Sequence, residues 1–171
     1  MKLRFDCILI LAIMLGGLSG SLRAAPESGN VTVAVGDVTY TDKDGNAVAV
    51  KAGDKVAVGG TVKTGAGARA VVVITPRSAI RVAENSEVII TEVTETSTPK
   101  RVMLDLKTGS MGALLKPNAA GEMDFKIRTP SGIAAARGTY YSVAIEDGKG
   151  FAQVKEGRVE IIPAETEEDP N

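Results

Sequence analysis

The 171-residue chain has no histidine, no tryptophan and a single cysteine, and aromatic residues make up only 4% of it. Without imidazole it lacks the commonest general base and the commonest transition-metal ligand. With one thiol besides, a zinc or copper site has almost nothing to be built from. So few aromatics leave little stacking surface for single-stranded nucleic acid or for sugars. Neither sign of charge dominates, since 20 Lys and Arg stand against 21 Asp and Glu for a net charge of −1. Nucleic-acid binding calls for a basic surface that displaces counterions from phosphate, so the composition argues against that partner. Apolar residues are plentiful at 44%, against 24% charged, which is the balance of a folded chain. The length fits one domain with tails and one sizeable core.

The first residues read as an address. Lys2 and Arg4 precede an apolar run from Cys7 to Leu18, and small residues lead to Ala24-Ala25-Pro26. That is the layout of a secretory signal peptide, with Leu22 and Ala24 at the two positions a signal peptidase reads. Residues 1–24 are therefore expected to be a leader and 25–30 a linker. An uncleaved anchor is the alternative, but the run is short against the ~20 residues of a transmembrane helix, and no span is expected in the mature chain. Cleavage would remove Cys7, leaving neither thiol nor disulfide in an oxidising compartment. It would also remove Lys2, Arg4 and Arg23 with Asp6, taking the net charge from −1 to −3. Residues 163–171 carry Glu165, Glu167, Glu168 and Asp169 and read as an acidic disordered tail. The expected location is periplasmic or secreted.

Between leader and tail the pattern is β throughout. Apolar residues alternate at Val31/Val33/Val35, Val48/Val50, Ile80/Val82, Val102/Leu104/Leu106, Phe125/Ile127, Tyr141/Val143/Ile145 and Val159/Ile161, while Val71-Val72-Val73-Ile74 is apolar on both faces. Period-2 alternation in short β-branched runs is the mark of half-buried strands. Glycine punctuates nearly every gap, and no sustained period of 3.6 appears after the leader. The expectation is an all-β fold of about ten to thirteen short strands. A twisted β-solenoid or β-helix-like coil leads, with a β-sandwich as the alternative, because both bury the same Val, Ile and Leu faces. Asp44-Gly45 and Asp147-Gly148 are expected as type I′ hairpin turns. The polar stretch 91–100 reads as a solvated hairpin arm and 118–122 as an exposed loop.

Motifs that would carry chemistry dissolve on inspection. Asp42, Asp44 and Asn46 have the spacing of a calcium loop, but Ala47 stands where such a loop needs glycine and Gly53 where it needs a bidentate Glu. A hairpin turn is the better reading. Gly65-Ala66-Gly67 lacks the third glycine of a dinucleotide fingerprint and precedes a strand. Ser78, Ser86, Ser110 and Ser131 have no histidine to activate them, and Ser110 with Lys107 or Lys116 is only a hydroxyl near a lysine. Paired carboxylates cannot be chosen from the acids without geometry. No catalytic residue, cofactor or metal ligand is assigned.

Three passages, taken in order, are more specific. The first is Val58-Gly59-Gly60-Thr61-Val62-Lys63-Thr64-Gly65, followed by the run from Arg69 to Thr75 and by Ala83-Glu84-Asn85-Ser86. The second runs from Phe125 through Thr129-Pro130-Ser131-Gly132 and three alanines to Arg137-Gly138-Thr139. The third is Val154-Lys155-Glu156-Gly157-Arg158-Val159. Over residues 31–162 the chain resembles the FecR-domain family of bacterial envelope proteins. Thr64, Gly65, Thr129, Pro130, Arg137, Gly138, Thr139 and Gly157 are the motif positions, and each reads as architectural. Gly65, Gly138 and Gly157 would supply backbone conformations that a β-carbon obstructs, Thr129-Pro130 would end a strand, and Arg137 would satisfy loop carbonyls or an acid, with an exposed binding contact as its alternative.

The resemblance implies the periplasmic part of a regulator, which receives a signal from an outer-membrane iron-siderophore receptor and passes it to a sigma factor through one membrane span. With no second span and no cytosolic segment in view, this chain is not expected to carry a signal across the inner membrane by itself. A non-catalytic secreted or periplasmic module that binds another envelope protein or a cell-wall polymer is the leading expectation. The alternatives are an accessory regulator of a separately encoded transmembrane anti-sigma protein, or an enzyme with an unrecognised carboxylate site.

Overall fold

Valines and isoleucines at alternate positions decide where this chain extends, and its turns decide which extended segments meet. The computed structural model describes residues 28–116, 123–136 and 140–164. They form fifteen strands: β1 (Ser28–Val35), β2 (Val38–Thr41), β3 (Ala47–Ala49), β4 (Lys55–Ala57), β5 (Thr61–Thr64), β6 (Arg69–Thr75), β7 (Ser78–Val82), β8 (Glu87–Thr94), β9 (Lys100–Thr108), β10 (Ser110–Leu115), β11 (Met123–Thr129), β12 (Gly132–Ala136), β13 (Tyr140–Glu146), β14 (Lys149–Glu156) and β15 (Val159–Pro163). No helix occurs among the described residues, so none there is long and apolar enough to cross a membrane. The leader (1–24), most of the expected tail and the loop at 118–122 lie outside the described residues.

The all-β expectation holds, with more strands than the ten to thirteen counted from alternation. They build two open sheets in a sandwich-like arrangement, the alternative architecture. One sheet has seven strands in the order β14-β13-β10-β7-β6-β1-β4, and the other has eight in the order β15-β12-β11-β9-β8-β5-β2-β3. Both orders climb with chain position from one end of the molecule to the other, save for β4 beyond β1 and β3 beyond β2. That progression is what the fold shares with a coil. It departs from a regular β-helix in that almost every neighbouring pair is antiparallel, as short turns require. The parallel pair is β9 with β11, and there the chain first passes through β10 in the other sheet.

The two inner faces make one core. Val72, Ile80, Val82, Met111 and Tyr141 from the seven-stranded sheet, and Val62, Ile90, Leu104, Phe125 and Ile127 from the eight-stranded one, are each at most 1% exposed. Pattern and structure part at two places. Val31, Val33 and Val35 do not share a face, because an irregularity in the pairing of β1 with β6 between Val31 and Val33 buries Val31 and leaves Val35 41% exposed. Asp44-Gly45 is not a type I′ turn. Only Gly45 is in the left-handed region (φ +90°), and the Asp42 carboxylate accepts the Asp44 and Asn46 backbone N–H groups at 2.9 Å each. This is a three-residue loop ending in a left-handed glycine. At Asp147 (φ +50°) and Gly148 (φ +73°) both central residues are left-handed, as a type I′ turn demands.

Candidate binding surface

The loop with calcium-like spacing is fully occupied with itself. Asp42 also accepts the Asn46 side-chain amide at 2.9 Å, a bond that holds its carboxyl below the usual carboxylate range, and Asp44 pairs with Lys43 at 2.7 Å. No group of three or more Asp, Glu or Cys converges among the described residues. Lys107 reaches Asp105, at 3.4 Å. Among the described residues the buried Tyr141 hydroxyl has no hydrogen-bond partner, and burial pushes its pKa up. A phenol held protonated in an apolar core is no acid or base. Since an unpaired buried hydroxyl costs about 1–3 kcal/mol, Tyr141→Phe is expected to raise stability by about 1 kcal/mol, read as a later urea midpoint with unchanged slope.

Thr64, Gly65 and Gly157 sit where the chain changes sheets, whereas Thr129 and Pro130 turn it back within the eight-stranded sheet. Thr64, 6% exposed, ends β5; its hydroxyl donates to Ala83 O and accepts Ser86 N–H at 3.1 Å. Ser86 Oγ donates to Ser110 O at 3.0 Å and accepts Ser110 N–H at 2.9 Å. The Thr-Gly and Asn-Ser turns thus buckle β5 to the strands of the opposite sheet. Gly65 does not adopt the left-handed backbone; its constraint is close approach, since a β-carbon there would lie 3.3 Å from Asp37 Cβ. Thr129 and exposed Pro130 form the turn from β11 to β12, where Thr129 Oγ1 donates to Gly132 O at 3.0 Å. Ser131 Oγ accepts the Gly150 N–H, tying that turn to β14. Gly157 (φ +93°) makes the turn into β15. Arg137, Gly138 and Thr139 lie outside the described residues.

Sequence reasoning missed the concave surface. An open groove of about 500 Å³ lies on the outer face of the eight-stranded sheet, lined by Met123, Asp124, Lys126, Ala135, Glu160 and Ile162 among others. A second hollow of about 250 Å³ adjoins it through the same Asp124 and Lys126. Register builds this face. Lys126 stands opposite Met103 on one side and Ala135 on the other, and Ala135 stands opposite Glu160. Lys126 pairs with Asp124 at 2.9 Å and Arg128 with Asp105 at 3.5 Å. Small Ala135 leaves the hollow, and charges of both signs line it. The signal was present as Asp-x-Lys-x-Arg on the outward positions of β11, but alternation alone does not say which outward residues face open space.

The groove ends at β15, the edge of its sheet. Pro163, opposite Gly132, has no N–H, while the next residue, Ala164, donates to Ser131 O at 3.1 Å. In an antiparallel pair inward and outward positions alternate, so Ile161 and Val159 turn their N–H and C=O groups to the free edge. Ile161 is 60% exposed and Ile162 43%. At the other end of the sandwich both edge strands, β3 and β4, have three residues each and offer little to pair with.

No curated protein and no solved structure matches the chain. The model of one family, described as FecR protein, matches residues 60–160, from the turn that precedes β5 to the start of β15. That family is associated with signalling and the regulation of sigma-factor activation, and it is not known for catalysis. The match covers more than half of the chain, which therefore belongs to the FecR family.

Proposed function

We propose that residues 1–24 export the chain and are removed, and that residues 25–171 act in the bacterial periplasm or outside the cell as a non-catalytic binding module of envelope signalling. The partner is another envelope protein, received as an extended segment along β15. A strand added there takes its affinity from main-chain hydrogen bonds and its selectivity from the adjoining groove, which accepts alternate side chains. The observation that carries this reading is the free β15 edge beside a groove lined by charges of both signs.

Ile161→Pro tests it. Proline at 161 deletes an N–H that points to the free edge and no ladder bond, so stability is expected to stay within about 1 kcal/mol. Used as bait in an envelope extract, the unaltered protein is expected to retain one protein in stoichiometric amount, and the proline variant to lose it at least tenfold. Retention of cell-wall polymer alone, or equal capture by both baits, would sink the proposal.

A further inference from the structure

The two outer faces of the sandwich differ in how they treat charge. On the eight-stranded sheet several bases meet an acid, as Lys63 with Glu87, Lys126 with Asp124 and Arg128 with Asp105. On the seven-stranded sheet, register places Asn30, Val73, Ala79, Leu114 and Tyr140 in one outward row across five strands. Val71, Arg81, Gly112 and Ser142 form the next row, and Ala144 with Phe151 continue the face onto β14. Leu114 is 53% exposed, Phe151 52% and Tyr140 40%. At ~4.8 Å per strand this face is about 25 Å wide from β1 to β14.

Its charges are predominantly basic. Lys55, Arg69, Arg81 and Lys149 point outward here by register, and Lys155 lies beside outward Tyr140, against Glu146 and Glu156 at the ends of the β13–β14 ribbon. Among the described residues the side chains of Lys55, Arg69, Arg81 and Lys149 have no ion-pair partner, and Lys155 lies 5.4 Å from the Tyr140 ring centre. A second copy docked through this face would set unpaired arginines near their equals. An apolar centre with unspent cations instead matches a layer that is anionic at its surface and apolar beneath.

We infer that the outer face of the seven-stranded sheet is a peripheral docking surface for an anionic-lipid membrane, with Arg69 and Arg81 on headgroups and Leu114, Tyr140 and Phe151 at the interface. Phe151 lines a small hollow with Ile161, but Arg69, Arg81 and Leu114 lie on the inner strands of the other sheet, so the inference does not depend on the partner reading above. The protein recovered after export is mixed with vesicles of phosphatidylcholine alone or of equimolar phosphatidylcholine and phosphatidylglycerol, then sedimented. It is expected to sediment with the mixed vesicles only and to be released by high salt. Removing one cation costs about fivefold in affinity, so Arg69→Ala with Arg81→Ala is expected to lose roughly 25-fold. Leu114→Ser is expected to weaken binding without unfolding, checked by circular dichroism. Lys43→Ala with Lys63→Ala, which removes two cations from the opposite sheet and its loop, is expected to change nothing. No sedimentation with either vesicle, equal sedimentation with both, or an equal loss in the two double variants would overturn the inference.

Discussion

Alanine at position 132 is expected to cost about 3 kcal/mol and to loosen β15 from the sheet. Gly132 has φ +150°, a region that side chains rarely enter, and a β-carbon there would strike the Ile162 carbonyl oxygen and crowd Pro163 Cα at 3.1 Å. Those atoms belong to the strand that pairs with β12, so the clash is relieved only by moving β15 away. Urea unfolding measures the loss, and amide exchange locates it: protection is expected to fall at Ile162 and Ala164 and to persist at Leu104. Gly45→Ala is the control. That residue is also left-handed (φ +90°), but nothing lies within 4 Å of its would-be β-carbon. It carries the backbone penalty alone, about 1 kcal/mol. Equal losses in the two variants would show that contact with β15 contributes nothing. If β15 is the docking edge, Gly132→Ala also loses partner capture, for a reason opposite to that of Ile161→Pro. The proline keeps the strand in place and blanks its edge, whereas the alanine displaces the strand.

Alternation made the strands legible where both inward positions carry large side chains, as in β7, β9, β11 and β13. It failed where they do not. β4 has three residues, too few to show a period. β10 carries Gly112 and β12 three alanines, which have no preference between faces or between helix and strand. β14 is exposed along most of its length and pairs on one side only, so nothing in its composition selects a buried face. Nor could alternation assign strands to sheets, because an inward Val reads alike in either. The glycine signals were stronger, but some fell on neighbours of the residue under constraint. Gly65 marks its turn correctly while Gly67 holds the left-handed backbone, and Gly132 rather than the adjoining Thr129-Pro130 meets the opposite strand. The groove was not legible at all, since it depends on Ala135 standing between Lys126 and Glu160, three residues from three strands.

Phe125→Ala is expected to cost about 4 kcal/mol, the largest loss from any single truncation in this core. A chain with one cysteine can form no internal disulfide, so burial and ladder bonds bear the whole fold. Aromatics are scarce, and Phe125 and Tyr141 are the two largest fully buried side chains. Phe125 is 0% exposed and stands between Val102 of β9 and Ala136 of β12. The inward positions of β12 beside it are small, Ala136 opposite and Ala134 next along. One large ring thus fills space that the alanines of β12 leave open on one side. Cavity cost adds to transfer cost where the surroundings cannot relax. Leucine at 125 keeps most of the volume and is expected to cost about 1.5 kcal/mol. Against a total stability of about 5–15 kcal/mol the alanine variant is left marginal, and heating curves should broaden as β11 and β12 loosen ahead of β6 and β7. If alanine and leucine shift the urea midpoint equally, the site relaxes after all, and the small residues around it are not the cause of its sensitivity.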